Sequence, residues 1–129
     1  KGKTGKTIEP TVLKQNNSPD ISAEIRDYMG MSVKSGTSKT SKVQGYSMGG
    51  KTGTAQKIPR GSGKYLVSFI GFAPLDDPQV VIYVVVDEPN AERQDNSKYP
   101  QYIAQAVLSE ILQLTFALFP HQNSRDQSR

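Results

Sequence analysis

The sequence contains no cysteine, and its single histidine, His121, lies in a polar C-terminal stretch. Disulfide staples, thiolate metal sites, cysteine nucleophiles and two-histidine zinc motifs are therefore excluded. Any chemistry must be done by Ser, Thr, Lys, Tyr or carboxylates. Long apolar runs are missing too. The longest, Ile103 to Phe119, is interrupted by Gln105, Ser109, Glu110, Gln113 and Thr115, and falls short of the roughly 18 consecutive apolar residues of a membrane span. No signal-peptide pattern is present. Aromatic residues are few, at 8%, and hydrophobic residues make up 35%; that is lean, but the Val, Ile, Leu and Phe present exclude a fully disordered chain. At 129 residues there is room for one domain or part of one. Because the chain begins at Lys1 and not at Met, it reads as a piece of something longer.

Acidic residues are scarce in the first half. Residues 1–64 carry 12 Lys or Arg against 4 Asp or Glu, whereas residues 65–129 carry 4 against 8. The first half therefore suits an anionic ligand, and it is equally well read as a solvated basic face. A basic polyanion-binding module is one function class that this distribution permits.

Residues 1–20 are polar, with one short alternating run, Thr7 to Leu13, that predicts an edge strand interrupted by Pro10. Ile21, Ile25, Met29 and Val33 then fall four apart and predict an amphipathic helix capped by Ser22 and ending at Gly36, weakened by Gly30. A Ser/Thr/Lys loop follows, from Gly36 to Tyr46. Three strand-like runs come next: Lys51 to Ile58, Tyr65 to Phe72 and Val80 to Val86, the last two read as central core strands. The connections Pro59 to Lys64 and Pro74 to Pro78 are too short for a helical crossover, so the sheet is expected to be antiparallel. After a polar loop, Pro89 to Pro100, a second helix is predicted with Ile103, Val107, Ile111, Leu114 and Leu118 as its core stripe. The fold class is α+β, an antiparallel sheet with flanking helices. Residues 121–129 read as a disordered polar tail.

The segment Gly45-Tyr46-Ser47-Met48-Gly49-Gly50-Lys51-Thr52 matches the phosphate-loop pattern letter for letter, and Val80 to Val86 followed by Asp87 mimics the magnesium-binding strand of such nucleotide-binding proteins. A phosphate loop needs a buried strand before it and a helix after it. Residues 38–44 show no strand pattern, and Gly53 and Thr54 follow where the helix should begin. Read on a strand, the same Lys51-Thr52-Gly53 is a K-T-G element. Alternation puts Lys51 and Gly53 on one face, with the missing side chain at Gly53 leaving space beside the ammonium group. Thr52 and Thr54 add hydroxyl donors. A second K-T-G string, Lys3-Thr4-Gly5, lies in a solvated arm. Asp87 and Glu88 read as a solvated turn and not as metal ligands.

Three ordered blocks extend the K-T-G element: Gly45 to Lys57, then Ser68-Phe69-Ile70-Gly71-Phe72-Ala73-Pro74, then Val84-Val85-Val86-Asp87-Glu88-Pro89. With Gly36-Thr37 after the first helix, this order and spacing resembles the end of the transpeptidase domain of class B penicillin-binding proteins, over about Thr7 to Phe119. The resemblance implies that residues 1–120 are the C-terminal part of such a domain. It implies that Lys51 shapes the active-site field, that Thr52, Gly53 and Thr54 form the substrate-binding strand, and that the Thr54 backbone N–H supplies half of an oxyanion hole. The family's S-x-x-K nucleophile motif and its S-x-N motif are both absent from this sequence. The chain alone is therefore expected to be inactive, one wall of a site completed upstream. For the parent protein the resemblance implies a serine D,D-transpeptidase that cross-links peptidoglycan stem peptides at the outer face of a bacterial cytoplasmic membrane. It would be inhibited by β-lactam antibiotics and would need no metal or cofactor. Its partners would be the upstream part of its own domain and the cell-wall synthesis machinery, with no nucleic acid.

Overall fold

Ser18 and Pro19 begin the first helix, α1 (Pro19–Ser35), in a computed structural model that describes residue 9 and residues 11–118. Ser18 Oγ accepts from the Ile21 N–H at 3.3 Å, and Pro19 in the first turn has no N–H to leave unpaired. This corrects the expected cap at Ser22: a cap residue followed directly by proline makes a better start, four residues earlier. Only the last turns of α1 reach the core. Val33 is buried, and Gly30 lies so close to Leu75 that a methyl group there would come within 2.7 Å of Leu75 Cδ2. Gly30 is thus a contact point rather than a weak spot. Ile21 and Ile25, at the other end of the expected stripe, are exposed.

A tight 3-10 turn, Lys39–Ser41, leads to three strands: β1 (Gly49–Gln56), β2 (Tyr65–Ala73) and β3 (Val80–Asp87). They form one antiparallel sheet in the order β1-β2-β3. Among the described residues only β2 has a strand on both sides, so the expectation of two central strands is corrected: β3 has β2 as its one strand neighbour there and presents one side to solvent. Its burial alternates along its length, with Val81, Tyr83 and Val85 exposed and their neighbours half-buried. β1 starts two residues earlier than expected. Gly50 and Gly71 make that possible, because both lie against the ring of the fully buried Phe69, and a side chain on either would strike it.

The second helix, α2 (Lys98–Leu118), packs against β2 and β3. It begins at Lys98, inside the expected Pro89–Pro100 loop, with Asn96 Oδ1 accepting from the Lys98 N–H at 3.1 Å and Pro100 tolerated in the first turn. Its buried face is Gln101, Ala104, Leu108 and Leu112, not the expected stripe; Ile103 is 48% exposed, Val107 42% and Leu114 65%. The helix is apolar on most sides, so its composition alone does not choose the face that is buried. Leu108 and Leu112 join Val33, Val43, Met48 and Ala73 in the core, with Tyr46, Val80 and Ile82 packed against them. Ile70, Val81, Tyr83 and Val85 lie together on the opposite sheet face and are exposed.

Glu9 and residues 11–13 belong to no strand, so the described part of the Thr7–Leu13 arm does not bear out an edge strand. The remainder of that arm, the Lys3-Thr4-Gly5 string and the 121–129 tail lie outside the described residues. Among the described residues no helix is long and apolar enough to cross a membrane.

Candidate active site

β1 lies at the edge of the sheet, and its ladder determines which backbone groups are free. The N–H of Lys57 donates to the carbonyl of Lys64 at 2.9 Å, in register with the β1–β2 pairing. Antiparallel pairing alternates between bonded and non-bonded pairs. Lys51, Gly53 and Ala55 therefore turn their N–H and C=O toward Ile70, Ser68 and Leu66. Gly50, Thr52, Thr54 and Gln56 turn theirs outward, away from the sheet. Two outward carbonyls are taken, that of Gly50 by Ser38 Oγ at 3.3 Å and that of Thr52 by Lys51 Nζ at 2.9 Å. The outward N–H groups of Thr52 and Thr54 make no hydrogen bond among the described residues.

Side chains alternate the other way. Lys51 and Gly53 face one side of the sheet, Thr52 and Thr54 the other. Lys51 and Thr54 are exposed, and Thr52 is half-buried. The open space expected beside Gly53 is occupied: a methyl group on Gly53 would lie 2.6 Å from Ser68 Oγ. A side chain at Gly53 would have to turn the Ser68 hydroxyl aside.

The start of β1 is braced by polar contacts that sequence reasoning missed. Ser38 is fully buried, receives a hydrogen bond from Ser32 Oγ of α1 at 3.0 Å and, through its carbonyl, one from Ser41 Oγ at 2.7 Å. Buried Gln101 of α2 donates through Nε2 to the carbonyls of Thr37 at 3.0 Å and Ser97 at 2.9 Å. The only sequence signal was the Gly36-Thr37 turn itself. At the far end, Lys57 Nζ lies 2.9 Å from Asp87 and 2.7 Å from Glu88, and Lys64 Nζ lies 3.1 Å from Glu88. The hydrogen bond from Lys57, then that from Lys64, holds the Glu88 carboxyl below the usual carboxylate range; Glu88, then Asp87, raises Lys57 above the usual lysine range. Asp87 and Glu88 are thus partners of lysines and not a merely solvated turn.

The phosphate-loop reading fails on this geometry. The residues after Gly49 form an edge strand and not a helix, so no helix N-terminus faces the loop, and Asp87 is engaged by Lys57. Among the described residues no group of three His, Cys, Asp or Glu side chains is placed to hold a metal ion. A shallow depression lined by Arg93, Asp95, Asn96, Ser97 and Lys98 lies in the loop before α2 and includes none of the K-T-G residues. What β1 offers is one ammonium group, two hydroxyls and a row of unpaired backbone groups on an open edge. Such a set has the donors that a carboxylate or a polarised carbonyl would need, and no activated nucleophile stands beside it among the described residues.

The geometry agrees with what the chain is similar to. The Stage V sporulation protein D of Bacillus subtilis (strain 168) is 48% identical over 97 residues, which cover 71% of this chain and 15% of that protein. The probable peptidoglycan D,D-transpeptidase PenA of Neisseria flavescens is 39% identical over 80 residues, 60% of this chain and 19% of that one. Among solved structures, the apo transpeptidase domain of Burkholderia pseudomallei penicillin-binding protein 3 superposes with a TM-score of 0.61 at 36% identity, over 75% of this chain and 31% of that domain chain. The chain thus spans less than a fifth of the length of these two curated relatives. The model of the penicillin binding protein transpeptidase domain family matches residues 2–113, nearly the whole sequence, and the chain belongs to that family.

Proposed function

We propose that this chain is the C-terminal part of the transpeptidase domain of a class B penicillin-binding protein, a serine D,D-transpeptidase that cross-links peptidoglycan stem peptides and is acylated by β-lactam antibiotics. The observation that carries the reading is the outward N–H of Thr54 on an open strand edge, three residues from Lys51. An extended peptide ending in a carboxylate can lie along this edge, with the Thr52 and Thr54 hydroxyls as donors to the carboxylate and the missing side chain of Gly53 keeping the strand low. As a hydroxyl from upstream attacks the scissile carbonyl, negative charge develops on the carbonyl oxygen, and the Thr54 N–H donates to it. Lys51 supplies positive potential throughout. The reading assigns residues 1–120 to one incomplete domain and residues 121–129 to its tail. It places the membrane anchor outside this chain, and the site at the outer face of the cytoplasmic membrane beside the cell-wall synthesis machinery.

Labelled penicillin tests this. The full-length protein containing this segment is expected to form a covalent adduct, and this chain alone is expected to form none. An adduct on the isolated chain, or an upstream sequence without S-x-x-K and S-x-N, would overturn the assignment.

A further inference from the structure

Of the outward-facing carbonyls on the β1 edge, the first, that of Gly50, is held from inside the protein. Ser38 Oγ reaches it at 3.3 Å, across twelve residues of sequence, in a buried setting. Ser38 does not stand alone: α1 contacts it through Ser32, the 3-10 turn through Ser41, and α2 holds its neighbour Thr37 through Gln101. Gly50 is buried, so its carbonyl cannot turn to water if the hydroxyl is lost. The peptide unit thus fixed joins Gly50 to Lys51 and immediately precedes the two outward N–H groups, of Thr52 and Thr54, that no group among the described residues claims.

We propose that Ser38 is a positioning residue for the reaction, acting through Gly50: it pins the start of the K-T-G strand and so sets where the Thr54 N–H meets the developing oxyanion. The inference rests on the transpeptidase reading and adds a residue to it. The Ser38 hydroxyl touches no ligand. It transmits the packing of α1 and α2 to the catalytic edge, because misplacing a preorganised donor by a fraction of an ångström weakens it in the transition state more than in the ground state. Replacing Ser38 is therefore expected to slow the chemical step while leaving initial ligand binding nearly unchanged.

The test uses the full-length protein, with Ser38→Ala, Ser38→Thr and wild type compared by stopped-flow acylation with a fluorescent penicillin and by hydrogen exchange. The first-order acylation constant per folded molecule is expected to fall about five- to tenfold in Ser38→Ala, with the pre-acylation dissociation constant changed less than twofold. Ser38→Thr, which keeps the hydroxyl, is expected to recover most of the rate. Exchange at Lys51 and Gly53, whose N–H groups face β2, is expected to quicken in Ser38→Ala while the β2–β3 ladder holds. Wild-type acylation constants in Ser38→Ala, a loss confined to binding, or no recovery in Ser38→Thr would overturn the proposal while leaving the transpeptidase reading intact. Absence of any wild-type adduct would overturn both, and the exchange result would still report whether Ser38 pins β1.

Discussion

A methyl group on Gly53 would meet Ser68 Oγ at 2.6 Å, whereas the Ser68 Cβ lies 4.0 Å from the same point. The clash is with one oxygen atom and not with the backbone of β2. Gly53→Ala is therefore expected to push the Ser68 hydroxyl out of its present rotamer and to destabilise the full-length protein only modestly, by about 0.5–1.5 kcal/mol, with at most a small loss of penicillin acylation. Adding Ser68→Ala removes the oxygen and leaves the new methyl at an ordinary contact distance, so the double variant is expected to regain most of the melting temperature. A double variant no more stable than Gly53→Ala would show that the strand register near Gly53 differs from this one.

The exposed residues Val81 and Tyr83, 66% and 64% exposed, stand on the last strand of the sheet, whose outer edge is unpaired among the described residues. A flat, β-branched edge with an apolar face invites pairing with another copy. The isolated chain is expected to self-associate in sedimentation, and the double variant Val81→Lys, Tyr83→Lys is expected to shift it toward monomer. A wild-type chain that sediments as a monomer and melts cooperatively would contradict the view that this surface belongs against other parts of a larger domain.

The ion-pair cluster at the β1–β2 turn gives stability a defined pH window. Glu88 titrates lower in the folded protein than in the unfolded chain, so its contribution is present above the ordinary glutamate range and is lost as pH falls through its depressed value. Lys57 titrates higher when folded, so its contribution is complete below the ordinary lysine range and is lost as pH rises through its raised value. Both side chains are 35% accessible to solvent, which makes the effect small and sensitive to salt. Thermal melts of the full-length protein across pH are expected to show a plateau between these limits. Glu88→Gln is expected to flatten its acid side, more at low than at high ionic strength. An unchanged acid limb at low salt would show that the pair contributes nothing in solution.

Strands β2 and β3 were legible because seven consecutive apolar, mostly β-branched residues from Val80 to Val86 have few other local solutions. Sheet order is a different matter. That β3 ends the sheet, and that Thr54 turns its N–H outward, depend on which strands pair. The phase of α2 was misread for a related reason: Ile103, Val107 and Leu114 form as good an apolar stripe as Ala104, Leu108 and Leu112, and only the approach of the sheet chooses between them. Ser38, Ser41 and Gln101 were invisible as buried residues, since polar side chains are ordinarily placed outside and their partners lie far away in sequence, as Thr37 does from Gln101. Lys51, Thr52, Gly53 and Thr54 were singled out by the K-T-G string and the family resemblance around it, yet what occupies the space over Gly53 required the register with Ser68.

The sharpest test of the roles on β1 separates side chain from backbone at one position. Lys51→Ala removes the cation that the proposed function sets beside the reacting carbonyl, and loss of one preorganised electrostatic group costs about 10² to 10³ in rate; acylation of the full-length protein is expected to slow by that factor with the fold intact. Thr54→Ala removes only a hydroxyl and keeps the N–H, so its loss is expected to be smaller than that of Lys51→Ala. Thr54→Pro removes the N–H itself. Because that N–H points out from the sheet edge and not toward Val67, proline there breaks no ladder hydrogen bond, which is the circumstance in which edge strands tolerate it. Thr54→Pro is therefore expected to keep a cooperative melt near that of the wild type and to lose about 10² to 10³ in acylation rate, whereas Gly53→Pro, whose N–H bonds to β2, is expected to unfold the strand. Rapid acylation of a folded Thr54→Pro variant would remove Thr54 from the oxyanion hole, and a slower rate for Thr54→Ala than for Lys51→Ala would reverse the roles assigned along the strand.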